Sequence, residues 1–126
     1  MNILLSEHTV VLSGQPLRVK VLTSQADKSR GYQFQKRTPK YNQALLFVFD
    51  SEDTQSFHMR NVCFDLDLLA FDGNGVFLGY VFMEAGSRKS YSTDSCCKYV
   101  IEAQPGWGDK LHKGVTRMKF ARSLGI

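Results

Sequence analysis

Ala44-Leu45-Leu46-Phe47-Val48-Phe49 is apolar at six consecutive positions. A strand with one face in water alternates apolar and polar residues, so an unbroken run implies a strand covered on both faces, in the middle of a packed structure. Leu66 to Phe71 has the same character, interrupted only by Asp67. Asp72-Gly73-Asn74-Gly75, a strong hairpin signal, then leads into Val76 to Met83, so these two strands are predicted to be adjacent and antiparallel. Between the two apolar runs, after an acidic turn at Asp50 to Asp53, Ser56 to Asn61 alternates. Phe57, Met59 and Asn61 fall on one side and His58 and Arg60 on the other.

Working outward toward the N-terminus, Ile3 to Leu5, Thr9 to Leu12 and Leu17 to Leu22 read as short strands, with Ser13-Gly14-Gln15-Pro16 as a turn. Thr23 and Ser24 offer a capping oxygen and Asp27 stands three residues past Ser24, so Gln25 to Gln35 is the one substantial helix expected. Gly31 weakens it by about 1 kcal/mol relative to alanine, which calls for a packing or ligand reason for that glycine. Arg37 to Asn42 reads as loop. Toward the C-terminus, Glu84 to Ser95 reads as loop, Lys98 to Ala103 as a strand, Gln104 to Gly108 as a turn and Thr116 to Phe120 as a strand that closes the sheet. Eight or nine strands and one short helix predict a mainly β fold: a small, jelly-roll-like antiparallel β-sandwich or a partly closed barrel. A parallel βαβ fold is disfavoured because alternating helices are missing. The 126 residues suit a single domain spanning 1–126.

Hydrophobic residues make up 43% of the chain and aromatic residues 12%, enough for a core without disulfides or metal. No apolar run reaches membrane-spanning length, and the N-terminus lacks the basic flank of a secretory signal. A soluble protein is expected, cytoplasmic or assembled into a larger particle. Sixteen basic against twelve acidic residues give a net charge of +4, but the basic groups are scattered, so nucleic acid is not an expected partner. Cys63, Cys96 and Cys97 cannot all pair internally, which favours a reducing compartment. His8, His58 and His112 lack metal-ligand spacing within one element. A site built from His58, Cys63, Cys96 and Cys97 across a sheet is outweighed by the simpler reading of isolated histidines and buried thiols, so neither metal nor cofactor is expected.

The residues best placed for chemistry are Arg30, Asn61, Asp67 and Glu102, polar groups within or beside apolar elements. An inward-facing Asp67 or Glu102 must be paired, and Arg30 is the natural partner because guanidinium holds carboxylate bidentately. One reading is an Arg-carboxylate clasp fixing the helix to the sheet. The other is a catalytic pair, one carboxyl protonated and one ionised, as in glycoside hydrolysis. Gly106-Trp107-Gly108 lacks phosphate-loop spacing, so Trp107 is read as a packing anchor or lid, or as an indole stacking on a ligand.

Arg30-Gly31-Tyr32, the run Ala44 to Phe49, Phe57-His58-Met59-Arg60-Asn61 with Leu66-Asp67, Tyr99-Val100-Ile101-Glu102 and Gly106 together resemble the domain of unknown function 192 family, from about Val19 to Val115. In that family the helix reads Arg-Gly-Leu-Met, the core strand Gly-Met-Leu-Phe-x-Phe and the next strand Phe-Trp-Met-Lys-Asn-Thr, followed by Pro-Leu-Asp. Here Tyr32 and Gln33, Ala44 and Leu45, His58, Val62 and Asp65 depart from it. A ligand contact made by the family's tryptophan would be lost or altered at His58. The resemblance implies a small jelly-roll-like sandwich and no established activity. Many members are exported, so a chain without a signal is expected to be a divergent, intracellular or virus-encoded relative.

The leading expectation is a non-catalytic binding or assembly module, such as an accessory or structural component of a virion, rather than an enzyme. Its partner would be a protein or a small ligand, with Arg30, Asn61, His58 and Trp107 as binding residues and an exposed edge strand able to support oligomers. The alternative is a hydrolase acting on saccharide or cell-wall material through Asp67 and Glu102.

Overall fold

The two doubly apolar runs lie side by side with a third strand between them, and the sheet they centre is covered on both faces. The computed structural model describes residues 6–121; the strand expected at Ile3 to Leu5 lies outside them. In chain order the elements are β1 (Ser6–Leu12), β2 (Gln15–Leu22), α1 (Gln25–Arg30), β3 (Gln43–Asp53), β4 (Ser56–His58), β5 (Leu66–Phe71), β6 (Phe77–Met83), β7 (Ser90–Ser92), β8 (Cys97–Ala103), α2 (Trp107–Lys110) and β9 (Lys119–Phe120). Seven strands form one sheet in the order β6-β5-β8-β3-β2-β1-β9, and β4 pairs with β7 in a separate ribbon.

Leu46, Ile101 and Leu69 stand in register across β3, β8 and β5 and face one side, with Val10, Leu12, Leu17, Val19, Phe71 and Trp107. Their neighbours Phe47, Val100 and Ala70 face the other side, with Leu22, Met59, Val62, Phe64 and Met83. Two clusters on opposite faces are why these strands carry no polar alternation.

The first face is enclosed by the sheet curling on itself. Phe77 N–H donates to Thr116 O (2.8 Å) and Met118 N–H to Gly75 O (2.7 Å). β9 continues this segment and pairs with β1 through Val10↔Phe120. The segment expected to close the sheet therefore bridges its two edges, although only Lys119–Phe120 is regular strand. The result is a mainly β, curled half-barrel. Gly75 is required at the seam: its φ is +83°, and a Cβ there would lie 3.1 Å from Met118 O. The second face is covered by Tyr32 just beyond α1, by Met59, Val62 and Phe64 in and after the turn that follows β4, and by Phe57 and Tyr91 of the β4–β7 ribbon.

Three expectations are corrected. The helix does not reach Gln35: it ends at Arg30, because Gly31 adopts φ +48°, ψ −130°, while Ser24 Oγ caps its start by accepting Asp27 N–H at 3.1 Å. The strand expected through Asn61 ends at His58, since Asn61 has φ +62° in a turn closed by Val62 N–H to Met59 O. Asparagine tolerates that conformation better than most residues. The sheet is not wholly antiparallel: β2 and β3 run parallel, joined by a crossover over residues 23–42 that carries α1, as parallel neighbours require. Smaller differences are the inclusion of Asp50 to Asp53 in β3, strand β7 within the expected loop, and the single-turn helix α2.

Candidate functional site

Asp67 and Glu102 do not meet. Asp67 pairs with Ala103 and Glu102 with Leu68 across β5 and β8, and neighbouring residues of a strand point to opposite faces. The two carboxyls therefore emerge on opposite sides of the sheet, and the catalytic pair does not form. Nor does the Arg30 clasp: Arg30 is exposed, and the one salt bridge among the described residues joins Arg18 to Glu7 at 2.8 Å.

On the barrel side, Asp67 is 2% exposed and its Oδ2 accepts two backbone bonds, from Gly106 N–H and Gly108 N–H, each at 3.0 Å. Burial pushes its carboxyl upward and these two amides pull it back. The carboxylate thus fixes the turn that begins α2. That turn seats Trp107, which is 1% exposed, stacks on Tyr41 at 5.1 Å between centroids and donates its indole N–H to Tyr41 O at 2.7 Å. Tyr80 covers Gly108 and donates its hydroxyl to Asp109. Trp107 is a packing anchor; its expected place on a contact surface is corrected, because no indole face is left to present.

On the opposite side, Glu102 lies beneath α1. It is 4% exposed, no side chain or amide among the described residues donates to its carboxyl, and its oxygens keep their opening onto the pocket rather than being sealed in the core. Burial, with nothing to offset it, raises its pKa from 4.5 to about 8, so the group is largely a neutral acid near pH 7. It opens into a pocket of about 310 Å³ walled by Phe47, Phe57 and Tyr32 and edged by Lys28, Arg30 and His58. This volume is at the lower end of the small-molecule range. Burial first, and then the charge of Glu102, hold the Tyr32 phenol well above its usual range.

Each wall is positioned by a local feature of the sequence. Gly31 lets the chain turn off α1 directly above the carboxyl: a Cβ there would lie 3.6 Å from Glu102 Oε1 and 3.6 Å from Phe47 Cζ. Those are ordinary van der Waals distances, so the reason sought for this glycine is conformational: its φ of +48° disfavours other residues. Lys28 is committed, donating to Val48 O at 2.8 Å and sitting 4.5 Å from the Phe49 ring centroid. His58 accepts the Arg60 amide at Nδ1 (3.2 Å), and burial, then Arg60, lower its pKa.

Of the expected site residues, Glu102, Arg30 and His58 therefore converge on this pocket, while Asp67, Trp107 and Asn61 do not line it. Asn61 instead donates to Gln33 Oε1 at 3.1 Å and its carbonyl accepts Phe34 N–H, tying the crossover to the turn after β4. Lys28, Tyr32 and Phe57 were not foreseen as pocket residues; the glycine within a helical stretch was the signal pointing to their neighbourhood. All three cysteines are free, Cys63 and Cys96 exposed and Cys97 buried, and no group of three His, Cys, Asp or Glu among the described residues is placed to hold a metal ion. No described helix is long and apolar enough to cross a membrane.

The fold is similar to that of a protein from Sinorhizobium meliloti 1021 assigned provisionally as a transcription regulator, with TM-score 0.83 and 18% identity over 92% of this chain and 95% of that one. It is also similar to a protein of unknown function from Novosphingobium aromaticivorans DSM 12444, with TM-score 0.74 and 16% identity over 93% of this chain and 84% of that one. At such identities the likeness concerns the fold alone. No curated protein matches the sequence. Residues 8–116, which contain both the Asp67 anchor and the Glu102 pocket, match the DUF192 family, described as an uncharacterized ACR, and the chain belongs to that family.

Proposed function

We propose that the chain is a non-catalytic binding module whose site is the pocket floored by Glu102. One observation carries this reading: a buried carboxyl without a hydrogen-bond partner among the described residues opens into a cavity of about 310 Å³. A ligand that brings a donor to this carboxyl gains a hydrogen bond for which no side chain among the described residues competes. The saccharide-hydrolysis alternative requires a second carboxyl across the substrate from the first. Asp67 is on the other face and already engaged, which favours binding over that chemistry.

A ligand-observed NMR screen of small polar metabolites tests the reading, using the wild type and Ser29→Trp. Ser29 is exposed beside the pocket, so an indole there fills the mouth without entering the core. Binders of the wild type are expected to be lost in Ser29→Trp at unchanged melting temperature. A panel that gives no binders, or binders indifferent to the plug, overturns the assignment.

A protein partner is the second reading, favoured by Phe34, which is 69% exposed beside an apolar hollow formed with Cys63, Ala85 and Gly86. Self-association or docking in a larger particle, a virion included, would use this side, within the cytoplasm or in the assembled particle. Light scattering checks the self-association form: Phe34→Ser is expected to shift a concentration-dependent oligomer to monomer. A wild type that stays monomeric throughout removes that form of the reading.

A further inference from the structure

We infer that the Glu102 pocket takes a small zwitterion, with its protonated nitrogen at Glu102 and its anionic end at Arg30. The inference rests on the binding reading above and specifies the chemistry of the same site. The floor carries the first half. A carboxyl with no protein donor is satisfied by a ligand N–H, and an ammonium also supplies the countercharge that lets the group ionise. The aromatic walls Phe47, Phe57 and Tyr32 suit a short alkyl spacer and favour a cation at their faces.

The mouth carries the second half. Of its two cations, Lys28 is already bonded to Val48 O and held against Phe49. Arg30 makes neither a side-chain hydrogen bond nor an ion pair among the described residues and is exposed. Arg30, Gly31 and Tyr32 also line a second cavity of about 580 Å³ on their other side, which carries Arg18, Lys20, Arg37 and Lys40 against Glu7 and Asp27. That excess of positive charge extends the field around Arg30 and sets the ligand's polarity, anion outward and cation inward. A guanidinium fork is well matched to a carboxylate or phosphate.

The test is a titration of the full chain, followed by the backbone amide signals of Gly31 and Tyr32, with ω-amino acids from β-alanine to 6-aminohexanoate as probes. Butylamine, butyrate and butyramide are the controls. The best ω-amino acid is expected to bind about tenfold more tightly than either singly charged control, the effect of one charge-assisted contact. Glu102→Gln should abolish the advantage over butyrate, and Arg30→Gln the advantage over butylamine. Binding of the ω-amino acid in buffers of different ionisation enthalpy should reveal proton release, absent in Glu102→Gln. Butyramide binding as tightly as every ω-amino acid overturns the zwitterion while leaving the pocket reading standing. Silence from all probes at Gly31 and Tyr32 also overturns it, and the metabolite screen with Ser29→Trp then decides the pocket reading separately.

Discussion

Glu102→Gln is expected to make the protein more stable than the wild type at pH 8, by several kcal/mol, on the order of 4, and to leave stability nearly unchanged at pH 4. The carboxyl is 4% exposed, so solvent screening does little to reduce the effect, and its pKa is raised from 4.5 to about 8 in the folded protein. Below pH 4.5 both folded and unfolded chains hold the proton, and burial carries no charge penalty. Between pH 4.5 and about 8 the unfolded chain releases the proton while the folded one retains it, so stability falls as pH rises, then levels off. A glutamine has no such proton and no such slope. Lys28 and Arg30 from α1, Tyr32 from the crossover and His58 from β4 share the pocket and are common to both variants. Urea unfolding of the two proteins across this pH range is the measurement. A difference independent of pH would mean that the Glu102 carboxyl is not held protonated by burial.

The same residue shows how much of the site was legible in the sequence. Its position after Tyr99-Val100-Ile101 marked Glu102 as a polar group in an apolar strand, and alternation gave it a defined face. Which face depended on the register between β5 and β8, a long-range pairing that no local pattern encodes. The pairs Asp67↔Ala103 and Leu68↔Glu102 separate two carboxyls that otherwise look equivalent. Asp67 meets the two amides beside Trp107; Glu102 meets no donor among the described residues.

The fold was more legible because its signals are local. Ala44 to Phe49 and Leu66 to Phe71 announce doubly covered strands, and Asp72-Gly73-Asn74-Gly75 announces the hairpin between β5 and β6. The parallel neighbour relation of β2 and β3 was hidden for the opposite reason. A single short helix satisfies the crossover, so the repeated helix-strand alternation that marks parallel folds is absent. For Trp107 the turn signal Pro105-Gly106 leaves a packing anchor and an exposed contact residue equally open. The bonds from Gly106 and Gly108 to Asp67 and the indole bond to Tyr41 O turn that segment inward.

Asp67→Ala should therefore be strongly destabilising, with the sole tryptophan reporting it. Both amides donate to the same oxygen, Oδ2, at 3.0 Å within a site that is 2% exposed. Alanine removes two bonds to an acidic group and leaves two N–H groups unpaired, a loss of about 3–5 kcal/mol. On a chain of this size that lowers the melting temperature by roughly 10 °C or more. Asp67→Asn retains one amide oxygen able to accept from both N–H groups and loses only the charge assistance, so a smaller loss of about 1–2 kcal/mol is expected. Gly108→Ala approaches the same turn from its other side: a Cβ there overlaps the Tyr80 ring close to its attachment, and the ring can clear it only by moving from Asp109. The readout is thermal unfolding together with Trp107 emission, which should shift to the red in folded Asp67→Ala and Gly108→Ala as the indole leaves Tyr41. If Asp67→Ala unfolds within about 1 kcal/mol of the wild type with unshifted emission, the carboxylate does not hold the turn. Stability graded Asn above Ala, with the red shift larger in Ala than in Asn, would place Asp67 in the architecture that keeps the barrel end closed.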